Sequence, residues 1–218
     1  LMNSNRVIIL SLFVMLQFIS IASIALEKGG LIIRGGYTNV DIANDNGNIA
    51  AVGDSGTPTL TFTYLVTENL GVELLAGLPI HHSIYDKVLG TGVKIGSTKH
   101  LPPALMFQYY FHPGARFRTY IGVGLNHTVF FKETTTGPIS GAELELDAST
   151  GLVYQLGMDW KWTENLSLNL DVRRWNIQTT AHVSGIESSS LSTILPDQLV
   201  FDVPLDPLTI GLSLTYEY

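Results

Sequence analysis

The sequence predicts an all-β fold: an eight-stranded antiparallel transmembrane β-barrel, up-and-down, with a narrow lumen and four long extracellular loops. Three observations carry that reading. Apolar residues alternate with small or polar ones over most of the chain, and period two puts successive side chains on opposite faces of a strand. The connections alternate between short turns and long polar segments. Only 14% of the 218 residues are charged while 45% are hydrophobic. A soluble domain carries about a quarter charged residues, so part of this surface is not built to face water.

The mean hydropathy of +0.25 is too low for a bundle of apolar helices. The 21 glycines suit tight turns and a narrow interior, and the absence of cysteine excludes disulfides and thiolate metal sites. A formal charge of −7 predicts no nucleic-acid partner, which would favour a basic face.

Residues 1–25 read as a signal peptide and 26–218 as the barrel. Arg6 supplies a short basic region, residues 7–21 are almost wholly apolar, and Ser23-Ile24-Ala25 gives a small-x-small site with cleavage after Ala25. A single membrane anchor is the competing reading, since the apolar run is nearly long enough to span. No other segment has the apolar length of a membrane helix.

Strand one, residues 30–40, sets Leu31, Ile33 and Tyr37 against Arg34 and Thr38. Strand two, 59–66, alternates Leu60, Phe62, Tyr64 and Val66 with three threonines. Strand three, 70–80, sets Val72, Leu74, Ala76 and Leu78 against Gly71, Glu73, Leu75 and Gly77. Strand four, 101–111, sets Leu105, Phe107, Tyr109 and Phe111 against Ala104, Met106, Gln108 and Tyr110. Strand five, 118–131, carries Ile121, Val123, Leu125, Val129 and Phe131 on one face and Gly122, Gly124, Asn126 and Thr128 on the other. Strand six runs from Gly151 to Trp162 in near-perfect alternation, Val153 being the apolar intruder on its polar face. Strand seven sets Leu166, Leu168, Leu170 and Val172 against Ser167, Asn169, Asp171 and Arg173. Strand eight alternates Leu208, Ile210, Leu212, Leu214, Tyr216 and Tyr218 with Thr209, Gly211, Ser213, Thr215 and Glu217.

Short turns fall near residues 67–69, 112–117 and 163–165; longer connections fall at 41–58, 81–100, 132–149 and 181–205. Three short turns, four long loops and an even strand count are the arrangement of a bacterial outer-membrane barrel exported through the periplasm. Alternation alone also fits a soluble lipocalin-like barrel with its apolar face inward. Against it, the less apolar faces carry Arg34, Glu73, Asp171, Arg173 and Glu217 among small polar residues, a mix that packs a polar lumen network through mutual ion pairs. Aromatics gather near strand ends, as girdles at the lipid interfaces do: Tyr64, Tyr109, Phe111, Trp160, Trp162, Tyr216 and Tyr218. Eight strands must close in lipid, because an open edge leaves backbone groups unpaired, and they leave a lumen that side chains largely fill.

The blocks LTFTYLVTENLGVELLAGLPIHHSI (60–84), HLPPALMFQYYF (100–111), FRTYIGVGLNHTVFF (117–131) and LDPLTIGLSLTYEY (205–218) resemble the outer membrane protein W (OmpW) family, including its AlkL-like branch. The resemblance covers essentially the whole of 26–218, although the long loops are unrecognisable. It implies an outer-membrane channel for passive uptake of small hydrophobic molecules. The channel would be narrow and hydrophobic above, closed towards the periplasm, with lateral release through the wall into the membrane. It assigns Pro79 to the lateral gate, where a missing donor weakens strand pairing, and Pro102 and Pro103 add missing donors nearby. A strand terminator before a loop is the alternative for Pro79. By register or position, Leu75, Ile80, Ile84, Met106, Phe130 and Trp175 are the hydrophobic channel candidates; Trp175 reads equally well as an interface anchor. The implied partners are outer-membrane lipid, a small hydrophobic substrate, and the barrel-assembly machinery through the aromatic Tyr218.

Competing chemistry is thinly supported. The six histidines include no H-E-x-x-H or comparable ligand motif, and adjacent His81 and His82 would point to opposite faces. Residues 188–190 are serines without a G-x-S-x-G elbow. No cofactor, metal or catalytic site is expected, and the chain does not read as an enzyme. A surface-interaction or structural barrel (an adhesin, or a phage or colicin receptor), acting through the long loops, is the alternative to transport.

Overall fold

The computed structural model describes residues 28–42, 49–88 and 90–218. The predicted signal peptide, including the cut after Ala25, lies outside the described residues. In chain order the strands are β1 (Leu31–Asp41), β2 (Ala50–Val52), β3 (Ser55–Leu65), β4 (Leu70–Gly77), β5 (Ile80–Asp86), β6 (Lys94–Leu101) and β7 (Ala104–Phe111). They continue as β8 (Phe117–Thr135), β9 (Glu143–Leu146), β10 (Ser149–Lys161), β11 (Leu166–Trp175), β12 (Gln178–Ser184), β13 (Leu199–Pro204) and β14 (Leu208–Glu217).

Eight of these form the wall. Their order around the ring is β10, β11, β14, β1, β3, β4, β7, β8, and the pairing of β8 with β10 closes it. Every ladder is antiparallel, as short turns between sequential strands require. The first and last wall strands meet at the short-turn end, where Leu31 and Tyr218 exchange both backbone hydrogen bonds at 3.0 and 2.8 Å. Along the length that the eight strands share, closure leaves no edge in the lipid, where an unpaired amide would cost several kcal/mol.

Period two sets the two faces throughout. Leu74, Phe107, Leu125, Leu156 and Leu212 are about half exposed and form part of an apolar belt around the outside. The residues between them face inward and are buried, including Glu73, Met106, Asn126, Gln155 and Thr215. At the short-turn end the belt turns aromatic, with Phe117 stacked on Trp160 at 6.1 Å and Tyr109 edge-on to Phe111 at 5.0 Å.

The upper ends depart from the sequence reading, one strand being longer than expected and two shorter. The second wall strand starts at Ser55 rather than 59, and the fourth starts at Ala104 rather than 101. The third stops at Gly77, and the chain resumes pairing at Ile80. Leu78-Pro79 and Pro102-Pro103 occupy these interruptions, because a proline cannot donate to a ladder. Above them the loops fold into a second tier. β5 pairs β6, β6 pairs the extended top of β8, and β2 pairs β5. A separate three-stranded sheet, in the order β13, β12, β9, stands over the other side.

Candidate functional site

The interior divides into two zones. Nearest the short turns, Arg34 from β1 reaches across the lumen to Asp159 at 3.1 Å and to Glu73 at 3.2 Å. Arg118 bonds Asp159 at 2.7 Å and also contacts Glu217. Arg173 holds Glu73 and Asp171, both at 3.0 Å, and Lys161 reaches Glu217 at 3.6 Å. Four cations thus meet four anions, so the plug is neutral as a whole. Gln155 bridges Asp171 at 2.7 Å and Gln108 at 2.9 Å. Tyr110 and Tyr120 close the remaining space, with the Arg34 guanidinium 4.9 Å from the Tyr120 ring centre. Gly157 makes room for that ring: a Cβ there would collide with it. Partners and hydrogen bonds on this scale are what keep buried charges tolerable.

All five residues read from the sequence as a lumen network, Arg34, Glu73, Asp171, Arg173 and Glu217, fall within this plug. Three more belong to it that the sequence reading missed: Arg118, Asp159 and Lys161. Each lies on the inward parity of its strand, and the five alone would have left one negative charge unbalanced.

Above the plug the lining becomes apolar. Val40, Leu75, Ile80, Met106, Val153 and Trp175 form part of one buried cluster, with Phe130 packed against it. Two chambers open within it. The lower one, about 450 Å³ of empty space partly open to solvent, lies beside Leu75, Leu78, Ile80, Pro102 and Trp175. The upper one, about 630 Å³ and also partly open, is bounded by second-tier residues including Ile84, Phe130, Leu144, Ala181 and Val203. Of the six sequence candidates, Leu75, Ile80 and Trp175 line the lower chamber, Ile84 and Phe130 the upper, and Met106 packs in the same cluster. The Trp175 indole turns inward and donates to Thr209 Oγ1 at 3.0 Å.

The wall is discontinuous beside the lower chamber. The β3–β4 ladder ends at Thr59 and Gly77, with one long bond of 3.5 Å from the Leu78 amide to the Pro58 carbonyl above it. The β4–β7 ladder ends at Leu75 and Ala104, and pairing resumes at Ile80 and His100. Among the described residues no ladder joins β3 to β5. Pro79 lies in this gap with its ring exposed, and Pro102 is buried against the chamber. Pro103 differs: its carbonyl accepts the His127 amide at 3.1 Å, which ties it to β8.

Two buried histidines border the chambers. His82 and His100 stack with ring centres 5.0 Å apart and planes 2° apart. His82 Nδ1 lies 2.6 Å from the Gly53 carbonyl, so it donates there. His82 Nε2 and His100 Nδ1 are buried without a hydrogen-bond partner, at a cost of about 1–3 kcal/mol each. These segments stand above the lipid belt. Burial holds the His82 imidazole below its ordinary range, only partly countered by the Gly53 carbonyl. Burial and then the neighbouring His82 push His100 down to about 3. His81, on the opposite face, is exposed. The serines of the last long loop are engaged locally, Ser189 with the Ile186 carbonyl at 2.7 Å and Ser190 with the Pro138 carbonyl at 2.9 Å.

Comparison with known proteins agrees with this architecture. The OmpW family profile matches residues 27–218. Outer membrane protein W of Vibrio cholerae serotype O1 is 36% identical over 206 residues, covering 88% of this chain and 90% of that protein. The crystal structure of the outer membrane protein OprG from Pseudomonas aeruginosa superposes with a TM-score of 0.77 at 32% identity, covering 88% of this chain and 97% of the other. Outer membrane protein AlkL of Ectopseudomonas oleovorans is 26% identical, covering 88% of this chain and 76% of its own length. These relatives are outer-membrane proteins. With a closed eight-stranded wall, an apolar belt and a family match across nearly the whole barrel, the chain belongs to the OmpW family and is a bacterial outer-membrane β-barrel.

Proposed function

We propose that this barrel takes up small hydrophobic molecules passively and releases them sideways into the membrane. The carrying observation is the juxtaposition of an apolar chamber, a charge-paired plug beneath it and a break in the wall beside it. A molecule that enters from above meets an unbroken polar packing below. The plug offers no apolar route onward, whereas the seam at Pro79 opens towards lipid that solvates an apolar cargo. In this reading Pro79 and Pro102 keep the seam unpaired, while Pro103 contributes little because its strand is tied to β8. Leu75, Ile80, Ile84, Met106, Phe130 and Trp175 form the apolar path.

The test is uptake of a small apolar probe into proteoliposomes. Rates no faster than in protein-free vesicles would sink the reading. Replacing Pro79 with alanine restores one amide donor, and uptake is expected to fall several-fold; unchanged uptake in a folded variant would leave passage but remove the lateral exit.

We further propose that the barrel-assembly machinery engages Tyr218, whose ring is exposed just beyond β14. Tyr218→Ala should lower the amount of barrel in the outer membrane while leaving refolding in vesicles intact.

A further inference from the structure

The two stacked histidines are the unexplained polar feature of an otherwise apolar cavity. They arrive there by register. Ile80 pairs with His100 and His82 pairs with Thr98, so the two imidazoles are diagonal neighbours on the inward face of the β5–β6 hairpin. Both rings are at least nine-tenths buried, at 1% and 2% exposure. His100 borders both chambers and packs against Phe130 with ring centres 5.7 Å apart. The pair therefore stands where the upper cavity meets the chamber beside the seam.

The other hydroxyls of the upper lining are occupied. Thr98 donates to the Lys99 carbonyl at 3.3 Å and Thr179 to the Asp147 carbonyl at 2.7 Å. The imidazoles are not: His82 Nε2 and His100 Nδ1 lack partners, although the packing leaves almost none of either atom's surface open to the chambers. Because the rings lie parallel, their in-plane nitrogens point past one another rather than at each other.

The chemistry of these nitrogens selects a ligand. His82 Nδ1–H is committed to the Gly53 carbonyl, which leaves Nε2 as a lone-pair acceptor. It requires a donor from the ligand. A hydrocarbon offers none, and a ketone, ester or carboxylate can only accept. An ammonium group would bring an unpaired charge into an apolar cavity. A hydroxyl donates to His82 Nε2 and still accepts a hydrogen bond from an N–H of His100.

We propose that His82 and His100 form a recognition site for the hydroxyl group of small apolar alcohols and phenols on their way to the seam. This rests on the uptake reading above and narrows its substrate class from hydrocarbons in general to hydroxylated ones.

The test compares two probes of one shape, 2-naphthol and 2-methylnaphthalene, with the full chain in lipid nanodiscs, empty nanodiscs correcting for partition into lipid. The hydroxylated probe is expected to bind about tenfold more tightly, the value of one hydrogen bond. His82→Phe and His100→Phe should abolish that preference while leaving the methylnaphthalene affinity within about twofold, because the cavity stays apolar. His100→Gln, which retains a donor and an acceptor, should restore part of it. Folding of each variant is checked by its heat-dependent gel mobility. In the wild-type protein, nitrogen-15 signals of the His82 and His100 rings should move with 2-naphthol and stay put with 2-methylnaphthalene, a readout that needs no variant. Equal binding of the two probes, unmoved ring signals, or a preference that survives both phenylalanine variants overturns the hydroxyl site and leaves the uptake reading standing. Binding of neither probe overturns both.

Discussion

The two ends of the barrel interior solve the same packing problem in opposite ways. Near the short turns, inward positions carry long charged and amide side chains whose partners come from across the lumen, Arg34 with Asp159 being 125 residues apart. At the loop end, the same inward parity carries Val40, Leu75, Met106, Val153 and Trp175, which pack without filling the space. Charges in a narrow lumen are tolerable only when every one is paired, so that zone must be dense. Apolar side chains impose no such demand, and a cavity among them costs packing but strands no charge. The difference teaches where the interior can leave open space and where it cannot.

The sharpest way to break that contrast is to remove a shared partner from the plug. Asp159 serves both Arg34 and Arg118. Asp159→Asn should destabilise the barrel by about 3–5 kcal/mol in denaturant titrations in vesicles, the usual cost of orphaning a buried ion. The apolar end should respond differently. Ala181 is buried on the upper chamber. Ala181→Trp should cost only about 1–3 kcal/mol of overpacking, yet bring probe uptake close to the protein-free rate. A reversed outcome, with Asp159→Asn silent in stability and Ala181→Trp silent in uptake, would erase the division of labour.

Much of the wall was legible in the sequence because lipid and lumen impose opposite demands on adjacent residues. Parity placed Phe62, Leu74, Phe107 and Leu156 outside and Arg34, Glu73 and Gln108 inside. Parity gives a face, not a depth or a partner. Arg118 sits beside a short turn and Asp159 amid a run of aromatics, and their pairing depends on which strands face each other across the closed ring. The second tier was less legible for another reason. β5 and β6 stand above the lipid, so their outer faces turn polar, as Lys99 and His81 show, and their inner faces mix Ile80 and Ile84 with His82 and His100. A strand with histidine on both faces does not alternate visibly. The register of β4, continued through Pro79, would turn His81 inward; the break at Leu78-Pro79 shifts the parity by one residue, so Ile80 and His82 face in instead, and no alternation in the sequence announces that shift.

The two ends should also differ in their response to acid. His100 is neutral in the fold, with its pKa held at about 3 by burial first and His82 second, against 6.5 when unfolded. Between those values the unfolded chain binds more protons than the native one, so His100 makes stability fall as pH falls from about 6.5 towards 3. Carboxylates add their own acid dependence, so the measurement is a difference. Unfolding midpoints of the wild-type protein and His100→Phe should converge in shape above pH 7 and separate below about 6.5, the variant being the less acid-sensitive. Parallel curves down to pH 4 would mean that the upper cavity already holds a charge there.

The smallest effect is expected at the outer rim of the plug, and it tests whether burial or mere charge pairing holds that zone together. Lys161 is 18% exposed and reaches Glu217 at 3.6 Å, while Glu217 keeps Arg118 as a second, fully buried partner. Lys161→Met removes a charge without orphaning an anion. Its cost should stay below about 1 kcal/mol, the range of partly solvated pairs, and should shrink further as salt screens the interaction. If it instead matched Asp159→Asn, the plug would depend on its overall charge balance, with all eight ions acting as one unit. If the cost stays small, its strength lies in the buried Arg34–Asp159–Arg118 centre, and the periplasmic rim can vary in charge without opening the barrel floor.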